Sequence, residues 1–600
     1  MEKLLKQNWD LQSLYEGGSQ SEKLKSIMVT IEVEIEELEK RVEENNHLEE
    51  GLNMDKLLIQ LGQTQERMSE WLQIDEYLIC LYADNVRDSS ASTLLSYSAE
   101  IHAKLASLLL ELDTSLLKLS EESWHNFLQK KEVEPFRFYL EERRQETKGR
   151  LPIETEKLIR SMSVNGFAGW ESHYKQLLNK LKVSVVKEGI KKEISIGEAL
   201  HGVAFTKDRS TRIKYAQAIK EVCEENQATF ASTLNHFAGF RLDLYQQRGW
   251  ENVLKETLEQ NRISEESLHS MMEVINENNH LVREFAKRKL ALEKVESPAY
   301  YDIRVSSFST ETSIPYEEAV HIIVSQFRGF SEKLGDFAER AFEQGWVEVE
   351  DRPDKASGAF CASMPLTKES RIFLTYKGSY QDVVTLAHEL GHAYHNEILM
   401  DVVPFAREKG TAVAETASTF LENLVLDAAI SNARDEREKL ALLEKKVING
   451  LKYISMIPNM FIFEQKLYEK RQQGLLSAEE IKALMLETEK ELYGDLIQEF
   501  DLMKWIYISH FYSADKAFYN IPYTIGYLFS NGIYAIAKEK GDSFPARYDE
   551  LLRNSGRMTM EQLAEQYLQQ DLRKKDFWKA SLQPVREGLE EYLSLTERMI

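Results

Sequence analysis

Apolar residues recur at intervals of three and four along most of this chain, and that spacing predicts helices almost throughout. The stretch from Gln20 to about Asn46 is highly charged with apolar residues at helical spacing. Its heptad register is not sustained, so an antiparallel helix pair inside a bundle is expected rather than a coiled coil. Met54 to Ala83 and Ala91 to Leu119 form further amphipathic helices, and the broad apolar face of the second predicts a buried one. Phe136 to Lys180 supplies two or three shorter helices broken at Pro152 and at Gly166–Gly169. A second helical set begins near FTKDRSTRIKYAQAIKEV, so a boundary is placed at 183/184. Met271 to Leu292 is expected as one long helix, and Tyr300 to Phe308 as a strand or extended entry.

The helical pattern breaks between residues 357 and 376. GAFCASM and RIFLTYKG, separated by Pro365 and a polar turn, are expected as two strands of a small sheet. The C-terminal third returns to helical spacing, interrupted by HFYSADKAFYNIPYTIGYLF, where Pro522 and Gly526 predict an irregular loop carrying His510, Tyr512, Tyr519, Tyr523 and Tyr527.

The chemistry sits directly after the strands. Ser379 and Asp382 make a helix start signal, and no proline follows until Pro404. On that helix lies His388-Glu389-Leu390-Gly391-His392, an H-E-x-x-H pattern. Val383, Leu386, Leu390, Ala393 and Tyr394 fall on one side of the wheel, with His388, His392 and His395 opposite. His388 and His392 stand one turn apart, about 6 Å along the axis, so both rings can meet one ion. His395 is about 10.5 Å along the axis from His388, which makes it a supporting group or substrate wall. Gly391 either keeps the helix surface low for a substrate backbone or permits a close helix crossing.

A catalytic zinc site takes three protein ligands and an open position. The continuation H-E-x-x-H-x-x-G-x-x-H fails, since His395 and Ile398 occupy the positions that need Gly and His. A carboxylate is then expected, and the next helix offers Glu415 and Glu422, two turns apart on one face. Spacing alone does not choose between them.

These segments resemble the thimet oligopeptidase and oligoendopeptidase F family of zinc metallopeptidases. His388 to His392 looks like its metal motif, and ETASTFLEN (Glu415–Asn423) is similar to the segment that opens on the third ligand. Trp9-Asp10-Leu11 with Leu14-Tyr15, LPIETEKLIRSMSVNGFAGW, KASGAFCAS and FYNIPYTIGYLFS carry the likeness over nearly the whole chain. The resemblance implies a mainly α, two-lobed helical metallopeptidase with a deep central channel and a small sheet beside the motif helix. Residues 1–183 would form the N-terminal helical domain and 184–600 the catalytic domain. It assigns His388, His392 and Glu415 to one Zn2+ per chain and leaves Glu422 as a supporting group. Glu389 would be the general base, with Tyr527, Tyr523 and His510 near the oxyanion. The implied activity is endopeptidase cleavage of short peptides. A peptidyl-dipeptidase or metallocarboxypeptidase of related fold, and a helical scaffold with an inactive metal helix, are the competing readings.

Charge narrows the partners. Lys and Arg total 75 against 99 Asp and Glu, a net charge of −24, with no basic stripe, which argues against nucleic acid and against an anionic membrane. Three scattered cysteines form no disulfide framework, and no signal core or membrane-length apolar run is present, so the expected address is the cytoplasm.

Overall fold

The computed structural model describes residues 5–48, 51–187, 190–309 and 312–600. The chain packs as two compact units, each threaded by three segments: Met1–Arg150, Glu311–Ala428 and Ile536–Gln570 in the first, and Leu151–Thr310, Ala429–Ala535 and Asp571–Ile600 in the second. Helices dominate both.

In the first unit, α1 (Glu22–Asn46), α2 (Met54–Asp84) and α3 (Ser89–Lys118) pack on one another. Each begins where a side chain caps it: Ser21 accepts from Leu24 N, Asn53 from Asp55 and Lys56 N, and Asp88 from Ala91 N. The α1 stripe Leu24, Met28, Ile31, Ile35, Leu38 and Val42 is completely or almost completely buried. Burying each such side chain stabilises the fold by about 1.5–3 kcal/mol before entropy is charged. The same apolar cluster continues under Ala362, Met364 and Phe373 of the sheet and under Leu399 and Phe405.

That sheet has three strands, Val347–Glu348, Glu369–Phe373 and Phe360–Met364, in that spatial order. The first pair is parallel and the second antiparallel, with Cys361 opposite Ile372 and Ala362 opposite Arg371. Phe360–Met364 is therefore an edge strand, and the motif helix packs on it and on Glu369–Phe373.

The second unit is built around the helix Arg209–Gln247, against which Ile457–Arg471 and Ala478–Tyr493 pack. A hairpin that the sequence pattern did not suggest, Lys182–Lys187 paired with Ile190–Ser195, lies on the same helix through buried Val183 and Val185. The boundary at 183/184 falls inside its first strand, and the packing units follow another division.

Three expected elements differ. Met271 to Leu292 is two helices, Glu265–Glu277 and Asn279–Leu292, because Asn278 turns its side chain onto the Val274 carbonyl (2.7 Å) and leaves the helical conformation. Tyr300 to Phe308 is not a strand: it starts with the short helix Tyr300–Ile303, whose Asp302 accepts from Ala299 N (3.0 Å) and pairs with Arg209 (2.9 Å). The tyrosine-rich stretch is irregular only up to Asn520, after a short turn at Ser509–Tyr512; from Ile521, with Tyr523 and Tyr527, it is the start of a helix, Ile521–Lys540. Pro522 stands in its first turn, where a missing N–H leaves nothing unpaired, and the preceding bend falls at Phe518 (φ 51°).

Candidate active site

The motif helix runs Tyr380–Leu399 and opens with a reciprocal cap, Ser379 accepting from Asp382 N (3.2 Å) while Asp382 accepts from Ser379 N (2.9 Å). Val383, Leu386, Leu390, Ala393 and Tyr394 are all buried, as the wheel requires. Along the other side, His388 and His392 keep about a quarter of their side-chain surface exposed.

The following helix, Thr416–Ser431, crosses the motif helix at Gly391. A Cβ on Gly391 would meet Ser418 Cα at 2.5 Å and the Ala417 carbonyl at 2.7 Å. Of the two uses expected for Gly391, the close crossing is the one its surroundings require. Gly391→Ala should therefore lower the melting temperature, at a cost of about 1–3 kcal/mol or more, and reduce metal content by pushing the two helices apart. Unchanged thermal stability and metal titration would show that the helices can separate without disturbing the donors.

That crossing sets the geometry of the donors. His388 Nε2 and His392 Nε2 lie 3.2 Å apart, and Glu415 Oε2 is 3.5 Å from the first and 3.4 Å from the second. Zn–N and Zn–O bonds of about 2.0–2.1 Å in a tetrahedron require donor–donor edges of about 3.4 Å, so the three atoms make one face of such a polyhedron. Both rings are turned to suit it. Glu422 Oε1 bonds His388 Nδ1, and the Ala414 carbonyl bonds the His392 ring. With those contacts made on the far side, the Nε2 lone pairs point at the same place. Among the described residues this is the group able to hold a metal ion.

The electrostatics follow from crowding. Burial opposes charge on His388, but its bond to Glu422 and the surrounding carboxylates push it up to about 9. Burial lowers His392 to about 4. Glu389 is 5% exposed, and burial, with Glu415 and Glu422 nearby, pushes its carboxyl up to about 7. Glu415 is held low by His392 and His388 against the effect of burial, and Ser418 Oγ donates to its Oε2 (2.8 Å). Ser418 stands one turn after Glu415 in the sequence, but nothing in the pattern marks it as a partner of that carboxylate.

His395 departs from expectation. It is fully buried, and its Nε2 meets Ser555 Oγ at 2.8 Å, so it packs the motif helix against the 555 region instead of facing a substrate. Tyr523, Tyr527 and His510 belong to the second unit. There His510 stacks on Tyr523 (5.6 Å between centroids) and its Nδ1 lies 2.9 Å from Asn520 Oδ1, while Tyr527 stacks on Tyr453 (4.3 Å).

Two imidazoles and a carboxylate converging on one point, with a buried glutamate beside them that takes no part in the triangle, define the donor set of a metallohydrolase. Comparison with known proteins gives the family: the chain belongs to Peptidase family M3, whose model matches residues 203–583, and a model described as Oligopeptidase F matches residues 115–182. This makes it a metalloendopeptidase of the oligopeptidase type. It is 25% identical to the chromosomal oligoendopeptidase F of Lactococcus lactis subsp. cremoris over 58% of each chain. It is 23% identical to the group B oligopeptidase PepB of Streptococcus agalactiae serotype III (strain NEM316) over 80% of each. The crystal structure of oligoendopeptidase-F from Enterococcus faecium superposes with a TM-score of 0.71 at 17% identity, covering 96% of this chain and 100% of the other, and shares its mainly helical fold.

Proposed function

We propose that the chain is a zinc-dependent endopeptidase of short peptides, with His388, His392 and Glu415 as the ligands. The observation that carries this reading is the donor triangle with edges of 3.2, 3.4 and 3.5 Å. Zinc, when bound, supplies a Lewis acid that lowers the pKa of its water to about 7 and polarises the scissile carbonyl. Glu389 takes the proton from the attacking water and delivers it to the leaving amine. Glu422 fixes the tautomer and direction of His388, and the Ser418 hydroxyl, by donating to Oε2, fixes the direction of the Glu415 carboxylate. The edge strand Phe360–Met364 offers main-chain groups to an extended peptide, which suits a peptidase indifferent to most side chains. Tyr527, Tyr523 and His510 are assigned to the carbonyl oxygen as it becomes negative.

The proposal extends to the setting. The division near 183/184 is a family boundary, close to where the two matched models meet, with 184–600 as the catalytic part. The protein acts in the cytoplasm on free peptides, without nucleic acid or membrane. The net charge of −24 supports this, as does the lack, among the described residues, of any helix long and apolar enough to cross a membrane.

Metal analysis of the purified chain should give one zinc per chain, and mass spectrometry of a mixed-length peptide library should show internal cuts in short peptides only. Stoichiometric absence of metal, or release of dipeptides alone from peptide ends, would overturn the reading. For the phenols, Tyr527→Phe or Tyr523→Phe should lower kcat by roughly 10²-fold to 10³-fold with melting temperature barely moved. If they only pack, the same change costs at most about 1–2 kcal/mol of stability and leaves turnover intact.

A further inference from the structure

In the second unit, residues 513–520 join the turn Ser509–Tyr512 to the helix Ile521–Lys540. This segment has no helix or sheet of its own, and side chains of three neighbouring helices serve its backbone. Arg241, on Arg209–Gln247, sends Nη2 to the carbonyls of Ser513 (2.9 Å) and Ala514 (3.2 Å). Its Nη1 donates to the Tyr468 hydroxyl (3.0 Å), and its guanidinium lies over the rings of Phe167 (5.1 Å) and Phe237 (5.5 Å). The Ala514 N–H donates to Glu171 Oε2 (2.8 Å), and Gln260 Nε2 donates to the Asp515 carbonyl (3.1 Å). Phe518, at φ 51°, is fully buried against Phe461 and Tyr468, with centroids 5.7 and 5.2 Å away.

The two ends of the segment are tied to each other. His510 Nδ1 lies 2.9 Å from Asn520 Oδ1, and the imidazole rests against Tyr519 (4.7 Å) and stacks on Tyr523 (5.6 Å). His510, Tyr519 and Tyr523 therefore form one block whose place depends on the chain between them. Arg241 is 2% exposed, and a cation so enclosed is ordinarily offset by a carboxylate in direct contact. Here Glu256 Oε2 stays 3.8 Å from Nε and takes the Tyr245 hydroxyl, while the direct bonds of the guanidinium go to two successive carbonyls and a phenol. Two neighbouring carbonyls aimed at one point suit a planar fork of donors, which lysine lacks. Moving that fork moves Ser513 and Ala514, and with them the block.

We propose that Arg241 is a positioning residue: through Ser513 and Ala514 it sets where His510 and Tyr523 stand, and so how well they meet the scissile carbonyl oxygen as it becomes negative. This rests on the peptidase reading above and on the assignment of those two side chains to that oxygen. Enclosed as it is, Arg241 touches no peptide itself. Its influence falls on kcat, because donors aimed at a developing charge act mainly in the transition state, and a misplacement of about 1 Å costs up to about 10²-fold. A guanidinium that only filled the core would act on stability alone.

The test uses zinc-loaded full-length protein and one internally cleaved reporter peptide, well below the melting temperature, with kcat expressed per bound zinc. Arg241→Lys keeps the charge and loses the fork, and should lower kcat about 10-fold to 100-fold while KM moves less than about 3-fold. Tyr468→Phe, which removes the brace on Nη1, should move kcat the same way by about 3-fold to 10-fold. In a background carrying both Tyr523→Phe and His510→Gln, neither change should lower kcat further by more than about 2-fold, because the groups being positioned are already silenced. The same factor in both backgrounds, a loss confined to KM, or a lowered melting temperature with kcat intact overturns the proposal. If Arg241→Lys fails to fold, Tyr468→Phe in the two backgrounds decides. Failure of the parent to cleave any peptide overturns the peptidase reading, and a background as fast as the parent overturns the assignment of Tyr523 and His510. An active parent and a slow background, with an Arg241→Lys factor that does not shrink between them, overturn the role of Arg241 alone.

Discussion

Glu389→Gln should keep its zinc and lose roughly 10²-fold to 10⁴-fold or more in kcat. The side chain lies next to His388 in sequence but takes no part in the triangle of donors, so its amide analogue leaves all three ligand atoms in place. It is 5% exposed, and the nearby Glu415 and Glu422 carboxylates disfavour its charge. A group so placed works against stability, so the amide should melt at the same temperature or higher while turnover collapses. That opposite movement separates a proposed base from a structural glutamate, whose loss would lower both. Metal content, melting temperature and kcat measured on one preparation are sufficient. Near-normal turnover would remove Glu389 from the mechanism.

Much of this site was legible because it depends on local spacing. The Ser379–Asp382 cap, the motif helix, the buried face through Leu386 and Leu390, and the strands at 360–364 and 369–373 all follow from patterns within one or two elements. The choice between Glu415 and Glu422 did not, since both lie on one face of a helix, and resemblance had to favour Glu415. The fold explains the ambiguity: both carboxylates address His388, Glu415 at Nε2 and Glu422 at Nδ1. A glycine within a helix announces a close approach but not what approaches, so the crossing at Ser418 was invisible. His395 shares the wheel position of a ligand face, yet Ser555, distant in sequence, closes that flank. Pro522 is ambiguous for a different reason: proline breaks a helix from the interior, whereas in a first turn, where it stands here, it starts one.

The two carboxylates should therefore behave differently toward metal. Glu415→Ala removes the atom that makes two of the triangle's three edges, leaving a pair of imidazoles, and should abolish stoichiometric zinc. Glu422→Ala leaves all three donors and frees only the His388 ring to turn and to change tautomer, so affinity should fall by about 10–100-fold. Glu422→Gln should lie between Glu422→Ala and the parent, because its amide oxygen can still accept from Nδ1 but carries no charge to strengthen the ring as a donor. Ser418→Ala, which removes the 2.8 Å bond to Glu415 Oε2, should weaken zinc in the same range as Glu422→Ala, since it too loosens a donor without deleting one. Competition titrations against a chelator rank all four variants on one scale. If Glu422→Ala were to lose stoichiometric zinc while Glu415→Ala retained it, Glu422 would be the ligand, and the triangle of His388, His392 and Glu415 would not be the metal's seat.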